Sequence, residues 1–230
     1  MTHTLETWPG RKAISVVVDP PGWFTPFGKT LVERLAAAGQ DAALIERQQD
    51  VPLGDIAFYL SCTGLTPPDR LALNAWNIVV HASDLPRGRG FSPLVWQVLE
   101  GINTIPVTMI AMTEAADAGD ILMQRFLEFR GHELNDEMRN AMGAMIVDMC
   151  FDVAMADAPP VRTQQSGEPS WYPRRGPEDS RLDVEKPLID QFQLFRVVDN
   201  EHYPAFFDLD GHRYILKIER VTQKPKEFEP

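Results

Sequence analysis

Cysteine is scarce in this chain: two in 230 residues, Cys62 and Cys150, far apart and outside any CxxC spacing. That excludes a disulfide framework and fits a reducing, cytoplasmic setting in which both are buried thiols. The five histidines, at 3, 81, 132, 202 and 212, show neither HExxH nor paired ligand spacing, so no metal is expected. Positive charge is short as well: 22 Lys and Arg face 33 Asp and Glu, a net charge of -11. A chain that grips a long polyanion needs a broad positive field, so nucleic acid is excluded as a partner. A small anionic ligand held by a few local arginines stays open. No apolar run is long enough to span a membrane, and MTHTLETWPGRK lacks the apolar stretch of a signal peptide. GxGxxG and GxSxG are both missing. The first strand-to-helix turn, DPPGWFTPFG, has the wrong glycine spacing for a dinucleotide loop.

What is present is ordinary globular material, 44% hydrophobic and 24% charged, so a real core is expected. AISVVVD (13–19) is a β-branched run of the kind buried on both faces of a sheet. Thr25-Pro26 opens a helix that Gly39 stops. Further strands are read at 41–47, 55–61, 77–83, 106–112 and 121–129. Helices are read at 67–73, 92–101 and 135–157, the last with Met138, Met142, Met145, Met149 and Val153 on one stripe. Strands alternating with helices predict an α/β fold, a mostly parallel sheet with helices on both faces. After Ala158 the chain turns rich in Pro, Gly, Ser and charge, the mark of a long surface connection. LIDQFQLFRVV then predicts a helix, and AFFDLDGHRYILKIERV a hairpin turning at Asp210-Gly211. The expected layout is a core over 1–160 and a small C-terminal α+β subdomain over 161–230.

Two places carry candidate chemistry. HASDLPRGRG (81–90) follows the apolar run NIVV, so His81 stands at the carboxyl end of a strand, where ligands collect in open α/β sheets. Ser83 follows two residues on. The plain alternative for His81 is a hydrogen-bonded structural histidine. TEAADAGDILMQ (113–124) carries Glu114, Asp117 and Asp120 between two strands, and its strand is expected to end at the same sheet edge as His81. An acidic connection is most often just solvated, yet a carboxylate at that edge can hold an imidazole in one tautomer.

The two stretches together resemble the folate-dependent formyltransferases. HASDLPRGRG is similar to the family signature HxSLLPxxxG, and PVTMIAMTEAADAGDILMQ to its second block, with an Asp-x-Gly. WYPRRGPEDSRLD resembles a third segment, where the family core passes into its C-terminal part. The resemblance implies a Rossmann-like formyltransferase core, 10-formyltetrahydrofolate as formyl donor and a primary amine as acceptor. It implies catalytic roles for His81 and Asp117. The family's third catalytic residue is an asparagine two residues before the histidine; Val79 stands there. Asn77 is a further two residues back, roughly 13 Å from His81 at ~3.3 Å per residue. Asn77, Ser83 or a backbone N–H is left to supply that donor. For the pterin the resemblance implies two loops, one with Ser61, Cys62, Thr63 and Leu65, the other with Met112, Thr113, Glu114 and Ala115.

For the acceptor, the tail looks closest to sugar N-formyltransferases acting on nucleotide-linked 4-amino sugars, in a branch associated with pseudaminic-type 4-amino-4,6-dideoxy sugars. Arg174, Arg175 and Arg196 are candidates for a diphosphate, because a guanidinium fork matches phosphate oxygens. Tyr172, Tyr203 and Phe206 are candidates for stacking on a base or a sugar, with Asn200 beside them. Ser83 joins them as an acceptor contact. A homodimer through the hairpin or the Met-rich helix is a further expectation. Within enzymes the alternatives are a small phosphorylated amine as acceptor, or hydrolysis of the donor. Outside them it is an inactive folate- or nucleotide-binding chain.

Overall fold

The computed structural model describes residues 8–221. His3 and most of the stretch read for targeting lie outside the described residues. A six-stranded sheet forms the centre. Its strands are β1 (Ala13–Val17), β2 (Asp41–Ile45), β3 (Gly54–Tyr59), β4 (Asn74–His81), β6 (Thr104–Ala111) and β7 (Ile121–Glu128), in the order β2-β1-β3-β4-β6-β7. The two-residue β5 (Arg89–Gly90) lies outside it. The first four strands pair in parallel; β6 runs antiparallel to both of its neighbours. Five of the six strands therefore point one way, the mostly parallel sheet expected.

The two faces differ. Period-2 alternation sends Val16, Ile56, Phe58, Ile78, Val107 and Met109 to one face. There α1 (Thr25–Ala37) brings Leu31 and Leu35, and α4 (Asn135–Met155) brings Met138, Met149 and Val153, into one apolar cluster. The Met stripe is thus core. The short α2 (Pro68–Leu71) serves the opposite face, where Leu71 packs on Val17, Val51, Ala57 and Tyr59. Loops cover the rest of that face. α3 (Pro93–Leu99) carries the chain from β4 towards β6 and buries Leu94 and Val98.

One expectation needs correcting. His81 pairs with Thr108 and Ile78 with Ala111, so β6 ends level with the middle of β4 and not beyond His81. Strand direction decides this: an antiparallel β6 delivers its carboxyl end to the amino side of β4. The acidic loop must fold back over the sheet to reach the histidine.

The stretch read as a surface connection is also stitched to the core. Thr163 and Ile121 exchange both backbone hydrogen bonds, at 2.9 and 2.8 Å. β8 (Trp171–Tyr172) pairs in parallel with β5. Beyond it, α5 (Phe192–Val197) and the hairpin of β9 (Ala205–Leu209) and β10 (His212–Leu216) bury Leu182, Phe195, Val198 and Ala205 together. The hairpin turns at Asp210 and Gly211, both with positive φ, which matches the right-handed twist of its strands.

Candidate active site

His81 faces away from the helix-packed side, on the face of Ala57 and Tyr59, as its parity with Asn77 and Val79 requires. It is 8% exposed. Its Nε2 lies 2.8 Å from the Gly88 carbonyl oxygen. A carbonyl can only accept, so Nε2 carries the hydrogen and the ring is fixed in orientation. Its Nδ1 lies 3.6 Å from Asp117 Oδ1, close enough for charge interaction and too long for a hydrogen bond.

Asp117 is held from several sides. Its Oδ2 accepts from the Gly90 backbone N–H at 2.9 Å. Its φ of 52° is left-handed, uncommon away from glycine but tolerated by Asp. Two residues on, a Cβ at Gly119 would stand 1.5 Å from the Ala111 carbonyl oxygen, so no larger residue fits that turn. The far side is equally close: Gly90 has φ 97°, and a Cβ there would stand 2.4 Å from the Tyr172 oxygen. The glycines thus let the two loops and β8 close over the histidine.

The two segments expected to hold the pterin meet on this same face. Cys62 and Met112 pack on one cluster with Val17, Ala57 and Tyr59. Burial pushes the Cys62 thiol up to about 11, so it stays protonated. Ser61 takes a left-handed conformation, the Thr63 N–H donates to the Asp19 oxygen, and Leu65 is exposed. Thr113 Oγ1 donates to the Ala115 oxygen, making a local turn in which Glu114 is exposed. An apolar floor edged by short polar residues and exposed main chain suits a flat heterocycle.

Asn77 is not a free donor. Its Nδ2 donates to the oxygens of Leu71 and Asn74, and its Oδ1 accepts from the Tyr59 hydroxyl. Ser83 is different: 1% exposed, with a hydroxyl that has no hydrogen-bond partner. It sits against Gly88, the residue whose carbonyl holds His81.

The acceptor candidates divide. Arg196 is fully buried and bonded to the Glu133 and Asn103 oxygens and to Gln193; the structure corrects its reading as a phosphate contact. Burial lowers its pKa, with Glu133 opposing. Phe206 is 4% exposed beneath Arg181 and Arg213, a core residue. Asn200 is likewise corrected, since its amide is closed onto Ile218 by two bonds. Tyr172 stacks on Trp96 and donates to Glu100 at 2.8 Å. Burial first, then that bond, raises its pKa to about 12. Arg175 lies over Trp96 and bonds the Asp179 oxygen; Arg174 is exposed over Phe91, and Tyr203 is half exposed.

Sequence reasoning missed two glutamines. Gln165 donates to the Asp117 and Gly119 oxygens. Gln124, on β7 two strands from His81, donates to Asp84 and to Thr108, the residue paired with His81. Gln124 also lines a cleft of about 540 Å³ between residues 84–87 and 163–168, beside the His81–Asp117 pair and not on it. Among the described residues no group of three or more His, Cys, Asp or Glu is placed to hold a metal, and no helix is long and apolar enough to cross a membrane.

Comparison with known structures decides the architecture. A methionyl-tRNA formyltransferase from Clostridium thermocellum superposes with a TM-score of 0.76 over 93% of this chain and 95% of that one, at 21% identity. The fold is that of the formyltransferases. A sugar N-formyltransferase from Shewanella shares this formyltransferase fold with a TM-score of 0.61, at 15% identity over 92% of this chain and 99% of that one. HypX from Aquifex aeolicus, solved with tetrahydrofolic acid, shares it with a TM-score of 0.69, at 18% identity over 94% of this chain and 40% of that one. In sequence, the methionyl-tRNA formyltransferase of Leifsonia xyli subsp. xyli is 29% identical over 174 residues, 73% of this chain and 56% of that protein. The chain thus spans about half the length of that curated relative. No family model matches.

Proposed function

We propose that this chain transfers a formyl group from 10-formyltetrahydrofolate to the amino group of a nucleotide-linked 4-amino-4,6-dideoxy sugar. The observation that carries the reading is the convergence of His81 and Asp117 from opposite directions of the sheet, 3.6 Å apart and shielded from water. That spacing lets an imidazole nitrogen and a carboxylate oxygen flank one reacting carbon.

The Gly88 carbonyl fixes the ring through Nε2, which leaves Nδ1 for the reaction. As the neutral amine forms its bond to the formyl carbon, the formyl oxygen becomes an oxyanion, and a protonated Nδ1 donates to it. The Asp117 carboxylate balances the ring's charge and takes the amine proton as the carbon–nitrogen bond to the folate breaks. The folate nitrogen recovers one proton, so the transfer is neutral overall. With Asn77 committed elsewhere and Val79 at the family's asparagine position, the partnerless Ser83 hydroxyl is the side chain that supplies the second donor. Cys62 and Met112 floor the pterin site. Arg174, Arg175 and Tyr203 remain as acceptor contacts. The net charge of -11 favours a small acceptor over a transfer RNA.

A second reading, a binding-only chain, is favoured by Val79 alone. Incubation with the formyl donor and a panel of amino-sugar nucleotides separates the two. Mass gain on one sugar supports transfer. Donor loss without sugar gain points to hydrolysis, and no turnover with tight donor binding points to the binding-only chain.

A further inference from the structure

We infer that Gln165 is a positioning residue that aims the Asp117 carboxylate at His81; the inference deepens the formyl-transfer reading and rests on it. Asp117 does not point at the histidine by default. Its loop leaves β6 level with Ile78 and folds back, and its backbone sits in the left-handed region. Such a conformation persists where the surroundings over-determine it. Gln165 supplies that determination. Its Nε2 donates one hydrogen to the Asp117 carbonyl and the other to the Gly119 carbonyl, both at 2.8 Å. Its Oε1 accepts from Arg89 at 2.7 Å, which fixes which end of the amide is the donor. All of its hydrogens are committed, and both go to the turn that carries the carboxylate.

The segment bearing Gln165 is itself anchored on both sides. Upstream, Thr163 is paired with Ile121. Downstream, Ser170 accepts from Gly88 through its hydroxyl and from Arg89 through its carbonyl. The same Gly88 holds the imidazole, and the next residue but one, Gly90, holds the carboxylate. One strap therefore sets the imidazole and the carboxylate against each other. Gln165 acts through Asp117 and touches neither the donor nor the acceptor site assigned above.

Gln165→Glu tests this. It keeps the size of the side chain and its pairing with Arg89 but cannot donate to two carbonyls. The expected result is a fall in kcat of roughly 10- to 100-fold, with KM for the folate donor and for the sugar nucleotide within about threefold of wild type. In an Asp117→Asn background the same change is expected to cost nothing further, because the residue it positions is already gone. Losses that multiply in the double variant overturn the inference, as does wild-type kcat in the single one. Hydrogen exchange of the Gly90 amide reads the same contact without any turnover. In Gln165→Glu it is expected to speed up about tenfold while β1 and β3 amides are unchanged. Should the wild-type chain transfer no formyl group, the activity reading fails alone and this exchange still decides the positioning role. An unchanged Gly90 rate refutes that role.

Discussion

The two faces of the central sheet are built on different principles. One is an apolar surface closed by α1 and α4, where Val16, Phe58, Ile105 and Met109 are fully buried and the ion pairs Arg34–Asp148 and Arg125–Asp152 are partly exposed. The other carries His81, Thr108, Asn77 and Gln124 under loops drawn from three distant parts of the chain. The helix side is held by non-directional burial, which tolerates small shifts. The loop side is held by directed hydrogen bonds, which do not. Stability and the proposed chemistry are thereby separated across a single layer of backbone.

This separation can be broken by experiment. His81→Gln on the loop side should lower turnover by about a thousandfold while the urea midpoint stays near wild type, since the Gln amide can place an N–H where Nε2 donates to Gly88. Retained turnover would erase the distinction. Leu31→Ala on the helix side should do the reverse, costing about 2–5 kcal/mol in urea unfolding with kcat per folded molecule unchanged. Gly119→Ala tests the close approach to Ala111: turnover is expected to drop roughly a hundredfold as the Asp117 turn is pushed aside, with a stability loss smaller than that of Leu31→Ala.

The smallest effect concerns pH. Tyr172 has its pKa raised from 10.0 to about 12 by burial and by the bond to Glu100. A folded pKa above the unfolded one gives a stabilising contribution that is complete below pH 10 and is lost as pH rises through about 12. Urea midpoints across that window should fall more steeply in wild type than in Tyr172→Phe.

The helix side was legible because burial leaves a period. AISVV, the Leu31–Leu35 spacing and the Met stripe of α4 each announce an element and the side it buries. β4 begins at Asn74, three residues before its apolar run, because backbone pairing with β3 extends back to Gly54. The loop side was legible only at His81 and Asp117, where motif and spacing coincide. The direction of β6 leaves no mark in an apolar run, so the path of the acidic loop was misjudged. Gln165 lies in TQQSG, a stretch with no periodicity at all, and its role depends on the Thr163–Ile121 bridge some forty residues apart. Arg196 was misread although a signal existed. It is flanked by Leu194, Phe195, Val197 and Val198, and a cation inside an apolar run has a buried partner more often than a ligand.

The reversal of β6 gives the segment between Ala111 and Ile121 the role of a ruler. Both of its ends are pinned to the sheet, Ala111 by the Asp120 carbonyl and Ile121 by Thr163. Its contour length limits how far a negative charge can travel back towards the imidazole, and Gln165 and Gly90 aim the charge within that reach. One residue of extended chain measures about 3.3 Å, nearly the whole separation between the two groups. A single deletion in this arc would retract the charge out of range while every strand kept its place, and a single insertion would leave it slack.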